Sequence, residues 1–285
     1  MENTRTRPIW AFLTGPYAVF LLFLLLVPFA NVAMYSIHAY SPTKVFLPEL
    51  TLDNYRTILD LYYVRLFGRT LRLGLITTAV CIALGYPLAY FLARALPRLQ
   101  ALCLFLLIMP LMVSAVIRVF GWIVILGRKG LVNQALVALG LEPIKLLYSE
   151  TAVVIGLVNI FVPFMVLPIL ASIERIPLSL EEAAQNLGAN WYQMFRRTIL
   201  PLSLPGLISG CLLVFSLSIS AFVTPALIGN PRERMVGQQI YDEVLVSFNW
   251  PRASSLALTL VLLTVGLMFC ALFATRHASR RETLR

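Results

Sequence analysis

Charge is what this 285-residue sequence has least of. Charged side chains make up 13% of it, against roughly a quarter in a soluble domain. With 59% hydrophobic residues and a mean hydropathy of +0.84, the chain cannot cover a water-facing surface, and an integral membrane protein is what remains. Histidine is almost missing, at His38 and His277 only. Cys81, Cys103, Cys211 and Cys270 fall far apart inside apolar runs, with no C-x-x-C pair. That pattern excludes a disulfide framework or a zinc site and reads as small buried side chains. The lack of G-x-x-x-x-G-K-[ST] excludes an enzyme that consumes ATP alone. The lack of H-E-x-x-H and G-x-S-x-G argues against a membrane protease. The formal net charge is +10, but basic residues beside membrane spans set orientation and meet anionic lipid, so no nucleic-acid partner is inferred.

What is present in quantity is long apolar sequence. A membrane helix needs about 20 predominantly apolar residues, and six stretches qualify: 17–37, 73–93, 101–126, 151–173, 204–228 and 253–275. Arg5 and Arg7 precede the first, as in a signal peptide. Its apolar core nevertheless exceeds the ~7–15 residues of a signal sequence and no clean cleavage site follows, so it reads as a retained anchor. Six spans put both termini on one side. The arginine-dense tail RHASRRETLR and the link RALPR, against acidic residues such as Glu49, Asp53, Glu142 and Glu150 on the other side, place those termini in the cytoplasm.

This orientation makes 174–201 a cytoplasmic loop, and the loop is unlike its surroundings. In SLEEAAQNLGAN, Ser179 and Glu182 have capping-box spacing. Leu180, Ala183, Ala184 and Leu187 recur at i, i+3, i+4 and i+7 as one apolar stripe. Gly188 stands where a helix ends in positive φ. Asn190 is placed to cap a second helix running from Trp191 to Leu200, which Pro201 stops. The plain reading is a connector lying on the headgroups. The alanine-rich stripe suits a close protein contact better than bilayer insertion, which favours Trp, Phe and Leu.

EAAQNLG followed by ILP resembles the signature of binding-protein-dependent ABC importer permeases: E-A-A, three residues, Gly, then I-x-L-P after nine more. It matches at Glu182, Ala183, Ala184, Gly188, Leu200 and Pro201 and departs at Thr198, the isoleucine standing one place later at Ile199. The resemblance covers about residues 70–274. It implies that the loop, with Glu181 beside the motif, is the coupling helix that docks in a cleft of a cytosolic ATPase dimer. That partner would hydrolyse ATP with Mg, and this chain would bind no cofactor. RVFGWIVILGRKGLVN, SIERIP and FNWPRASSLALTLVL further resemble the permeases of spermidine/putrescine importers; systems for other amine-bearing solutes are similar. That likeness implies a second permease subunit, a different chain, and a periplasmic substrate-binding protein. The resulting organisation is an all-α, six-helix membrane protein of the bacterial inner membrane. Residues 1–68 form the N-terminal tail, first transmembrane helix and periplasmic segment. Residues 69–275 form the permease domain, its coupling loop at 174–203. Residues 276–285 form a basic cytoplasmic tail.

Residues for a translocation path are sought inside the spans. Pro87, Pro110, Pro163 and Pro168 each leave a carbonyl four residues back without its helical partner. In the fourth span these carbonyls belong to Asn159 and Phe164. Freed carbonyls line substrate sites in many transporters, although neighbouring helices can satisfy a proline kink. Ser209, Ser216, Ser220 and Thr224 share one face of the fifth span, as a polar cavity or, with Gly206-x-x-x-Gly210, as a packing seam. Arg118 is read as snorkelling to the interface. No acidic residue lies within any of the six stretches. This argues against an ion-coupled secondary carrier, the rival reading together with a channel, and places solute selectivity in the external binding protein.

Overall fold

A computed structural model of the chain describes residues 7–41 and 47–282. Arg5 and the last three residues of the basic tail lie outside the described residues. The elements are helices α1 (Arg7–Ser36), α2 (Asp53–Ile58), α3 (Leu61–Arg94), α4 (Pro97–Ile108), α5 (Ala115–Leu126), α6 (Leu131–Ala138), α7 (Glu150–Ile173), α8 (Leu178–Asn186), α9 (Trp191–Met194), α10 (Leu200–Ser220), α11 (Val223–Ile228), α12 (Val236–Leu245) and α13 (Trp250–Glu282). Two short strands, β1 (His38–Ala39) and β2 (Leu47–Leu50), pair antiparallel. Among the described residues five helices are long and apolar enough to cross a membrane, and six spans result if one bent helix pair counts as a single span.

That bent pair corrects the third expected span. Instead of one rod over 101–126, residues Pro97–Met112 and Ala115–Ala138 meet at 99°. Pro110 supplies no N–H, so the chain tightens into a 3₁₀ turn at Met109–Met112 and then leaves helical geometry at Val113 and Ser114. The fifth span is corrected too. α10 ends at Ser220, Ala221 is extended, and α11 starts afresh at Val223. Pro225 lies in the first turn of α11, the one part of a helix where a missing N–H costs nothing.

The chain divides into two compact units, residues 1–63 with 240–267 and residues 64–239 with 268–285. In the first, α1 is apolar on all sides and its side chains from Tyr17 to Phe29 are exposed, the signature of a helix solvated by lipid. Its end is fastened by Asn54, whose amide donates to the carbonyls of Ser36 (3.1 Å) and His38 (2.9 Å), and by the Tyr55 hydroxyl, which donates to Ser36 Oγ at 2.9 Å.

The second unit is a bundle around α3, α7 and α10. Its core joins Leu73, Cys81, Ala89 and Leu92 of α3 to Leu157, Met165, Ile169 and Ile173 of α7 and Val214 of α10. Glycines set the helix separations. A Cβ on Gly74 would lie 2.6 Å from Ile219 Cγ2, and one on Gly206 would lie 2.4 Å from the Pro168 carbonyl. A Cβ on Gly210 would lie 2.8 Å from Met165 Sδ and 3.2 Å from its carbonyl oxygen. The Gly206-x-x-x-Gly210 stripe is thus the packing seam between α10 and α7, in line with the small-residue interfaces of membrane helices. All four cysteines are free.

Candidate functional site

α7 and α10 are joined by a compact elbow. α8 starts at Leu178, with Pro177 at the N-cap and its carbonyl accepting from Leu180 N–H at 3.1 Å. This corrects the capping box expected at Ser179 and Glu182. Pro177 already closes the first turn, so Ser179 lies inside the helix and makes no cap bond. The capping box occurs at the next helix, where Asn190 Oδ1 accepts from Gln193 N–H (2.8 Å) and Gln193 Oε1 accepts from Asn190 N–H (3.1 Å).

Gly188 has φ +82°. Its N–H donates to the Gln185 carbonyl, and the Ala189 N–H reaches back to Ala184. These two bonds satisfy the last carbonyls of α8, and they require the left-handed conformation that glycine adopts without strain. Pro201 does not stop the second helix. The chain widens into a π turn at Phe195–Ile199, with Leu200 N–H donating to the Phe195 carbonyl, and continues unbroken into α10. The wider turn makes room for the proline ring and absorbs its missing donor.

The inner side of the elbow is packed. Ile176, Met194 and Ile199 form a buried cluster against Tyr90, Ala184 and Phe195. Trp191 stacks on Phe195 at 5.5 Å, and the Tyr86 ring meets Phe195 edge-on at 5.3 Å. Glu181 faces inward with only 7% of its surface exposed. It accepts from Arg94 Nε at 2.8 Å and from the Tyr90 hydroxyl at 3.0 Å, and forms a further ion pair with Arg94 Nη2. Glu182, Ala183 and Leu180 are exposed, as is Leu187, at 88%. The stripe is therefore divided. Ala184 turns toward the cluster, and the other three present a free surface beside Glu182.

The remaining candidate residues do not converge. Asn159 borders an open apolar cavity of about 520 Å³ between α3, α4, α5 and α7, where it and Trp122 are the lining residues with a polar side-chain group. Phe164 packs against the core and meets Phe161 edge-on at 6.4 Å. The Ser216 carbonyl accepts from Ser220 Oγ at 2.9 Å, and Ser209 Oγ donates to the Pro205 carbonyl. Thr224 belongs to α11, off the face expected for it, and is buried with its methyl against Gly156. Arg118 does not snorkel free. Its Nε and Nη1 are buried without a hydrogen-bond partner, because the break at Val113 and Ser114 puts it one turn into a new helix rather than at the end of a straight span.

Two groups were missed by sequence reading. One is the stripe Tyr86, Tyr90 and Arg94 on α3, whose i, i+4, i+8 spacing was a legible signal. The other is an ionic cluster at the opposite end of the same helix. There Arg69 lies 3.6 Å from Glu150 and 3.9 Å from Glu233, and Arg72 also pairs with Glu150. Among the described residues no group of three His, Cys, Asp or Glu side chains is arranged to hold a metal ion.

Comparison with known proteins gives this geometry a context. Residues 82–283 match the family described as "Binding-protein-dependent transport system inner membrane component". The chain is 36% identical to the spermidine/putrescine transport system permease protein PotB of Haemophilus influenzae, over 93% of each chain. It is 40% identical to PotB of Escherichia coli over 76% of this chain and 80% of that one. In overall fold it is similar to a chain of a bacterial ABC transporter involved in the import of the acidic polysaccharide alginate. The TM-score is 0.72 at 19% identity, covering 97% of this chain and 96% of the other.

Proposed function

The chain belongs to the family of binding-protein-dependent transport system inner membrane components, a non-catalytic permease subunit of the ABC class, and from that premise we propose what it carries and how it is driven. The solute is a small organic cation, a polyamine of the spermidine/putrescine kind. The relatives named for that transport support this reading at 36–40% identity. A relative named as a putative 2-aminoethylphosphonate permease stands at 26%, which favours the polyamine over other amine-bearing solutes.

The observation that carries the mechanism is the divided elbow. Glu181 is tied inward, while Glu182 and Ala183 are offered outward on a nine-residue helix between two spans, with Leu187 exposed at its C-cap. Such a helix is a ready docking face for the ATPase dimer, which would bind and hydrolyse ATP with Mg on the cytoplasmic side. Both termini then lie in the cytoplasm. A second, different permease chain would complete the path through residues 69–275, and a periplasmic binding protein would select the solute. The absence of acidic residues from the apolar stretches supports selection outside this chain.

The test is reconstitution with the ATPase, the second permease and the binding protein, measuring ATP-dependent uptake of labelled spermidine. Glu182→Lys puts a like charge at the docking face. It is expected to lower ATPase association and uptake at least about tenfold, with the permease present at parental levels. Parental uptake by Glu182→Lys would reduce the elbow to a connector, and uptake driven by an ion gradient without the ATPase would replace the whole reading.

A further inference from the structure

The polar groups that α3 offers to the elbow form a ladder. Tyr86, Tyr90 and Arg94 lie one above another on a single stripe, one helical turn apart. Together the rungs reach three parts of the elbow, and two rungs meet at Glu181. Tyr86 shares a 2.6 Å hydrogen bond with Ser203 in the first turn of α10. Ser203 Oγ gives its own proton to the Leu200 carbonyl at 3.2 Å, so Tyr86 is the donor. Tyr90 donates to Glu181 Oε2 on α8. Arg94 donates to Glu181 Oε1 and, at 3.2 Å, to the carbonyl of Ile176 in the link between α7 and α8.

We propose that this ladder carries displacement of α8 to α3, with Glu181 as its joint, so that a push on the docking helix moves a membrane span directly. The proposal rests on the reading of α8 as the ATPase-docking element. The physical argument is one of stiffness. Without the ladder, α8 would be attached through the chain at Glu174–Pro177, through the Gly188 elbow, and through the contacts of Ala184 with the Ile176 cluster and of Gln185 with Met194. The chain links can bend, and the apolar contact is non-directional and can slide, so each could absorb a push. Both oxygens of the Glu181 carboxylate are occupied, and the group is nearly enclosed. A charged group so placed cannot slide without uncovering an unpaired charge in an apolar surround. The two adjacent glutamates divide the work, being about 100° apart around the helix. Glu181 holds the span, and Glu182 is left for the partner. Tyr90, Arg94 and Glu181 are thus positioning residues for transport.

The experiment uses the reconstituted complex and reads spermidine taken up per ATP hydrolysed. Docking is read separately from a cross-link to the ATPase through Ala183→Cys on the exposed face. Glu181→Gln keeps shape and removes charge. It is expected to lower uptake per ATP about tenfold or more, and Tyr90→Phe about two- to threefold, while the Ala183 cross-link persists. Arg94→Lys keeps the charge and is expected to stay within about threefold of the parent. A brace that only holds the fold would lower membrane level and cross-link together, with no change in uptake per ATP, and that result overturns the ladder. So does parental uptake per ATP in Tyr90→Phe, which carries the test should Glu181→Gln fail to reach the membrane. Loss of the cross-link in the otherwise parental chain would overturn the docking reading, and the ladder with it.

Discussion

Helix α3 is held by arginine–glutamate pairs at both ends, and the two ends are built differently. Residues 73–93 between them carry no charge, and Arg69 and Arg94 stand about 37 Å apart along the axis at 1.5 Å per residue, enough to bracket a hydrocarbon layer of ~30 Å. At one end Arg69 and Arg72 share Glu150, with Glu233 nearby, and every glutamate there is at least a third exposed. At the other end the Arg94 and Glu181 side chains keep 17% and 9% of their exposure, and Tyr90 and the Ile176 carbonyl complete the site. The first arrangement is a loose cluster in which one member can substitute for another. The second is a single enclosed joint with one ion pair and no spare counter-ion. A helix that must be moved from one end is expected to be clasped firmly there and lightly at the other.

Breaking the enclosed joint from one side has the largest expected effect. Arg94→Ala leaves the Glu181 carboxylate buried without its counter-ion, a change that costs about 3–5 kcal/mol. Thermal unfolding of the detergent-solubilised chain should show a correspondingly lowered midpoint. Removing both charges with Arg94→Met and Glu181→Leu together should recover most of the loss, because the desolvation penalty disappears with the pair. A double variant as unstable as the single one would mean that the clasp is valued for its packing rather than its charges.

The next effect in size separates hydrogen bonding from charge within the same ladder. Tyr86→Phe removes one hydroxyl and leaves Ser203 satisfied by the Leu200 carbonyl. The loss should be that of one neutral hydrogen bond, about 1 kcal/mol, in the same unfolding measurement. A loss equal to that of Arg94→Ala would put the weight of the elbow on the tyrosine–serine contact instead.

How far this arrangement was legible beforehand depends on the range of the forces involved. Apolar run length finds the spans because lipid solvation acts on every residue of a run, and Gly188 and Asn190 were readable because caps depend on neighbours three or four residues away. Ser179 misled because its spacing to Glu182 matches a capping box, whereas Pro177, two residues earlier, sets the start of α8. The break after Met112 was hidden because an apolar run looks the same whether it is straight or bent at Pro110. Thr224 was assigned to the face of a helix that ends four residues before it. The Arg94–Glu181 joint closes across 87 residues, and no local pattern distinguishes Glu181 from Glu182 as the inward member. Only the packing of Tyr90 and the Ile176 cluster decides that. For the same reason the E-A-A motif was readable as a string, while which of the two adjacent glutamates turns inward was not.

The smallest expected effect lies at the exposed end, and it tests the comparison most directly. Arg69→Ala removes contacts of 3.6 and 3.9 Å to Glu150 and Glu233, and Arg72 remains to hold Glu150. Partly exposed pairs of this kind contribute about 0–1 kcal/mol, since water and side-chain entropy offset most of the Coulomb attraction. Salt should reduce even that, because the screening length falls from about 10 Å at 0.1 M to about 3 Å at 1 M. Unfolding midpoints of the parent and Arg69→Ala should therefore converge as salt is raised. The gap between the parent and Arg94→Ala should persist, because ions do not enter the enclosed joint and buried pairs are screened far less. A salt-resistant loss in Arg69→Ala as large as that in Arg94→Ala would make the two ends equivalent, and α3 would then be a strut fixed at both ends rather than a span driven from one.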